Sequence, residues 1–204
     1  MEKRILCVFL MEVERQCKFA LIAAYDLERA VGTLNADRVW YSVQAFLIAA
    51  GNISKLLWGV KRAPEASKRR AGALRASLSV EGDSPLSPRT FRDHFEHFDE
   101  RLDMWAAGCA DGGFIDSNIG PAGFAGSGSG HCLRHFDTAN WAVTYRGDVY
   151  HLRPIIRAID VLQRTATAEF WKNTLRPDFD PHMAQMVIES EQRRFQNSLA
   201  SRSR

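Results

Sequence analysis

Apolar residues recur at helical spacing through most of the first half of the chain, and the pattern predicts helix after helix. One long helix is expected from about residue 3 to 31. Asn35 opens a second through Trp40, Val43, Leu47, Ile53 and Leu57, closed by Gly59 and Pro64. A third, from about 64 to 79, is basic and has few apolar positions, mainly Ala73, Leu74 and Leu78, so it is expected near the surface. In the fourth, Phe91, Phe95, Phe98, Leu102 and Trp105 fall in one stripe, the expected core face; Ser87-Pro88 reads as its start and Gly108 as its stop.

Beyond Gly108 the pattern changes. Eight of the 14 glycines lie between Gly108 and Gly130, and residues 109–132 read as a flexible Gly-rich loop. Neither a GK[ST] nor a G-x-G-x-x-G in strand-to-helix context is present, so a phosphate-cradling role is not expected there. Trp141 to Tyr145 and Val149-Tyr150 flank Arg146-Gly147-Asp148, the signature of a β-hairpin, and Leu133 to Thr138 is a candidate third strand. Pro154 starts a fifth helix through Ile155, Ile159, Leu162 and Phe170, and Asp180-Pro181 caps a sixth. The expected fold is therefore mainly α: an antiparallel four-helix bundle over residues 1–108, the loop at 109–132, then a small hairpin and two further helices over 133–204, packed on the same domain.

Composition places the chain among ordinary globular proteins: 204 residues, 46% hydrophobic, with a net charge of +3 too small to imply nucleic-acid binding by itself. Met1 to Arg4 followed by the apolar run Ile5 to Met11 is superficially like a signal peptide. Glu12, Glu14, Arg15 and Lys18 follow at once without a small-residue cleavage site, so the segment reads as helix. No apolar run has the roughly 20 residues a membrane span needs. The four cysteines form no C-x-x-C pair; Cys7 and Cys17 read as small buried thiols, and a reducing cytoplasm is the expected compartment.

The fourth helix carries the chemistry. Arg92-Asp93-His94-Phe95-Glu96-His97 spells an arginine, a polar residue, three further residues and a histidine. That motif, on the last helix of a four-helix bundle, resembles the HEPN superfamily over roughly residues 1 to 108. The resemblance implies a metal-independent endoribonuclease, of toxin or defence type, in which dimerisation brings two motifs together. In that chemistry a neutral His97 takes the proton from a ribose 2′-hydroxyl, and Arg92 holds the phosphate and stabilises its developing charge. Asp93 and His94 complete the candidate catalytic set. On an ideal helix, at about 100° per residue, residues 92 and 97 stand about 140° apart.

Lys61, Arg62, Lys68, Arg69 and Arg70, with Glu65 the one counter-charge among them, are the candidate RNA-binding residues. The plainer reading is a solvated, salt-linked surface, since Asp93 and His97, and His97 and Arg101, are helical neighbours. Glu96, Asp99, Glu100 and Asp103 also weigh against a face built for RNA. Neither His94, His97 and Glu100 nor Cys109, Cys132 and His135 has a strong metal-ligand signature, and no metal or other cofactor is expected. Besides RNA, the expected partners are a second copy of the chain and an antitoxin or other regulatory protein, with no membrane. The alternative is a non-catalytic module of the same fold that binds a nucleotide, RNA or a protein.

Overall fold

The computed structural model describes residues 2–59, 63–88, 97–109, 113–124, 131–175 and 180–201. The described residues are mainly helical and form six helices and one four-stranded sheet. In chain order these are α1 (Lys3–Gly32), α2 (Ala36–Trp58), α3 (Glu65–Leu78), α4 (Phe98–Gly108), β1 (Asn118–Gly120), β2 (Arg134–Asp137), β3 (Ala142–Tyr145), β4 (Asp148–His151), α5 (Leu152–Thr174) and α6 (Pro181–Ser201). No helix among the described residues is long and apolar enough to cross a membrane.

The local signals act as the sequence leads one to expect. The Asn35 side chain accepts from the Arg38 backbone N–H at 3.0 Å and so caps α2, relieving one of the donors a helix start leaves free. Gly59 ends α2 at φ 64°, a conformation that strains any residue with a β-carbon. In the hairpin, Tyr145 pairs with Asp148 across a two-residue turn of Arg146 (φ 50°) and Gly147 (φ 91°). Two positive φ values give a turn whose twist matches that of the strands.

α1 is the centre of the core. It packs against α2 and α5 along its length and touches α3, which also contacts α2 and α5. Leu10, Val13, Cys17, Ala20 and Leu27 of α1 meet Phe46, Ala50, Ile53 and Leu57 of α2 and Ile155, Ile159 and Leu162 of α5; Phe136 and Val143 of the sheet and Phe195 of α6 join the same cluster. α3 buries Ala71, Leu74 and Leu78 and exposes Lys68 and Arg69. Cys17 is fully buried, and burial, with the nearby Glu14 carboxylate, pushes its thiol well above the usual range, so it is inert.

Two expectations fail. The helix expected to start at Ser87-Pro88 is not helical at His97: that residue has φ −118° and ψ 41° and occupies the N-cap position of α4 without a side-chain capping bond, and the first turn of α4 holds Asp99 and Glu100. Acidic side chains at that end favour a fresh helix start there. Nor do the described residues of its stripe, Phe98, Leu102 and Trp105, form a core face. α4 has no buried residue, with Phe98 37% and Leu102 36% exposed. Trp105 instead donates its indole N–H to the His131 carbonyl at 3.0 Å and meets Phe114 edge-on, while the Arg146 guanidinium reaches the Met104 sulfur.

The Gly-rich stretch also contains a strand. β1 pairs in parallel with β2, Asn118 opposite His135, and Ile115 bridges Cys132. Three residues with no alternation give no periodic signal, and pairing with β2 is what makes them a strand.

The turn from β2 to β3 is held by one carboxylate. Asp137, 6% exposed, accepts from the Ala139 N–H at 2.9 Å, the Asn140 N–H at 3.0 Å and the Asn140 side-chain amide at 2.8 Å. These bonds fix a turn ending at Trp141, whose φ of 52° is rare for a bulky residue; such strain costs on the order of 1–3 kcal/mol. The side-chain bond from Asn140 holds the Asp137 carboxyl below the usual range against an opposing push from burial, and the backbone bonds and His135 add to it. A carboxyl depressed on folding stabilises above its unfolded value and loses that contribution as pH falls through the folded one. Asp137→Asn is therefore expected to cost about 1–3 kcal/mol at pH 7, and the gap to the unsubstituted protein should narrow below about pH 4. Urea melts at pH 7 and pH 3 test this; a gap that is constant with pH would refute it.

Candidate functional site

Of the candidate catalytic residues, Arg92, Asp93 and His94 lie outside the described residues, as do Lys61 and Arg62 of the basic set. His97 is described. Its side chain is 53% exposed at the N-terminus of α4, with Nδ1 3.5 Å from a carboxylate oxygen of Glu100. The 140° separation expected of residues 92 and 97 falls outside the described residues except at His97 itself, which is non-helical at the N-cap position of α4.

The remaining basic residues lie on α3. Lys68 is paired with Glu65 at 2.6 Å, both exposed, an arrangement worth little in water. Arg69 and Arg70 line a groove of about 350 Å³ between α3 and the start of α1, with Ile5, Phe9, Ala66 and Ser67. The Arg70 guanidinium sits 4.9 Å from the centre of the Phe9 ring. Arg75, one turn further on, is turned inward, donating to the Leu57 carbonyl and lying 6.0 Å from the Trp58 ring. α3 thus presents two chemistries, an inward arginine that ties it to the end of α2 and an outer edge with exposed Lys68 and Arg69 and a half-buried Arg70.

His97 and α3 stand at opposite ends of α2. Phe98, beside His97, flanks the Arg134 guanidinium at 5.9 Å, and the same guanidinium lies 5.7 Å from the Trp40 ring in the first turns of α2. Arg75 of α3 touches α2 at Leu57. At about 1.5 Å per residue, Trp40 and Leu57 are about 25 Å apart along the helix.

Arg134 was not among the sequence candidates. It clamps Asp116, Nε to the carboxylate at 2.8 Å, and so ties β2 to the segment before β1. Burial pushes the Asp116 carboxyl up, but the hydrogen bonds and charge of Arg134, with hydrogen bonds from Ser117, outweigh it and hold it below the usual range. The arginine lines a cavity of about 10 Å³ between α2 and the sheet, with Trp40, Tyr145 and Tyr150. That is room for one water, so the seam is structural and not a substrate pocket.

His135 is 3% exposed, with neither ring nitrogen hydrogen-bonded, and burial lowers its tendency to protonate against the pull of Asp137. It does not join the cysteines as a metal centre: among the described residues no group of three or more His, Cys, Asp or Glu side chains is placed to hold a metal ion, and all four cysteines are free. No family model matches the chain, and no curated protein or solved structure gives a match.

Proposed function

We propose that this chain binds RNA, holding the phosphate backbone along α3 beside the Phe9 groove, as a protein resembling the HEPN superfamily. The observation that supports the reading is the outward cationic edge of α3, where Arg69 and Arg70 border a 350 Å³ groove with an aromatic wall. Guanidinium groups pair bidentately with phosphate oxygens, and an adjacent aromatic side chain gives an unstacked base a surface to lie on. The weak exposed pairing of Lys68 with Glu65 leaves that ammonium available to exchange its carboxylate for a phosphate.

The narrower form of the reading is metal-independent cleavage by 2′-hydroxyl attack, with His97 as the base and Arg92 on the phosphate. His97 suits the task in one respect: a half-exposed imidazole with a carboxylate at 3.5 Å can be oriented while staying open to a substrate. The contacts that tie His97, through Phe98 and Arg134, to Trp40 and α3, through Arg75, to Leu57 support the alternative, a non-catalytic RNA- or nucleotide-binding module, beside a form in which two chains combine their ends in a homodimer.

Purified protein with EDTA, titrated with a mixed single-stranded RNA at several salt concentrations, separates these. Lys68→Glu with Arg69→Glu, both fully outward, should weaken binding at least tenfold and flatten the dependence of log K on log salt by roughly 1–2, because fewer phosphates are neutralised and fewer counterions released. Unchanged affinity would remove the RNA reading. Cyclic-phosphate products from the unsubstituted protein, absent with His97→Ala, would establish cleavage; binding without products by a folded protein would leave the non-catalytic module.

A further inference from the structure

A cavity of about 420 Å³ lies away from both His97 and the outward edge of α3 and opens between α1, α5 and α6, with Trp141 as one wall. That size falls in the range of small-molecule sites. Its floor is apolar, made by Leu21, Ala24, Ile156 and Leu199. Arg153 and Arg157, exposed and on successive turns of α5, stand on the rim.

Trp141 is set there by the backbone. Its φ of 52° is imposed by the Asp137-held turn on one side and by the bond from the Leu152 N–H to its carbonyl, 2.8 Å, on the other. The indole meets Phe136 at 5.8 Å in an edge arrangement, and the Arg153 guanidinium lies 5.8 Å from its ring centre. An arginine resting on an aromatic face keeps its N–H fork directed outward for an anion. Two acids also line the cavity. Asp160 is already bonded to Arg164 at 2.6 Å, which leaves Glu28 to oppose the two rim arginines. With that carboxylate present, a single negative group is matched and a polyphosphate is repelled.

We propose that this cavity binds a small amphipathic monoanion, its aromatic or aliphatic body on Trp141 and the Leu21–Ile156–Leu199 floor, and its head between Arg153 and Arg157. The proposal is independent of the RNA reading, because it uses none of the α3 residues and not His97. 8-Anilinonaphthalene-1-sulfonate, an aromatic monoanion whose fluorescence rises in apolar surroundings, is the probe. Titrated into the full chain, it should bind saturably at one site. Arg153→Gln with Arg157→Gln should weaken that binding at least tenfold while the protein stays folded at the titration temperature, and decanoate should displace the probe where inorganic phosphate at equal concentration does not. Binding that the double substitution leaves unchanged, absence of saturation, or displacement by phosphate alone would each overturn it. Glu28→Gln is the complementary test: it should tighten binding of a dianion such as phenyl phosphate, and no change would remove the argument for a single charge.

Discussion

Ile159→Ala is expected to destabilise the protein by about 2–5 kcal/mol, whereas Leu102→Ala should cost less than about 1 kcal/mol. Ile159 is fully buried in α5 and belongs to the cluster that joins α1 and α2. Truncating it removes the transfer energy of three carbons and leaves a cavity that helices packed on both sides cannot close. Leu102 stands on the stripe of α4 that the sequence marks as a core face, yet it is 36% exposed, so water fills the space its side chain leaves. Chemical melts of the two variants decide which helix belongs to the core. Comparable losses would place α4 in the core beside α5, and a larger one at Leu102 would place it there instead of α5.

Phe136→Ala should be at least as damaging, at about 3–5 kcal/mol. The side chain is fully buried, sits in the same cluster as the helices and meets Trp141 edge-on at 5.8 Å. It pairs with Val143 across β2 and β3, so its loss empties the place where the small sheet is fastened to the helical core. For a chain of this length the cost corresponds to roughly 2–4 °C of Tm per kcal/mol. The loss should also disturb Trp141, and near-ultraviolet circular dichroism at 25 °C, where the variant is still folded, should show a changed tryptophan signal. A melt shifted by less than about 1 kcal/mol would show the sheet to be an appendage and not part of the core.

The candidate sites differ in how legible they were. Lys68, Arg69 and Arg70 could be read as an outward cationic run because α3 has so few apolar positions to bury. Arg75 sits in the same run and turns inward to the Leu57 carbonyl, a contact between elements that spacing along one helix does not encode. His97 was legible as a histidine in a charged segment, but its place at the start of α4, beside Phe98 and Arg134, depends on contacts between elements. Arg134 and Asp116 are far apart in sequence and carry no motif. The parallel pairing of β1 and β2 is what brings them into contact. The monoanion cavity is less legible still, since its wall, floor and rim come from α1, α5, α6 and the end of a turn.

By itself the sequence determined the elements whose signals are local: the long α1, the Asn35 cap and Gly59 stop of α2, the two-residue turn at Arg146-Gly147, and the starts of α5 and α6. Each rests on backbone dihedrals and hydrogen bonds within a few residues, which neighbouring side chains dictate. The tertiary structure alone decided which amphipathic helix the core accepts. Helical periodicity says that a face is apolar but not what covers it, and both α4 and α5 offer such a face. α5 is long enough to lie along α1 and is delivered to it directly by β4, while α4, eleven residues long, is placed against the segments around Phe114 and His131. Burial goes to the helix that can meet α1 along its length, because the free energy gained grows with the apolar area removed from water.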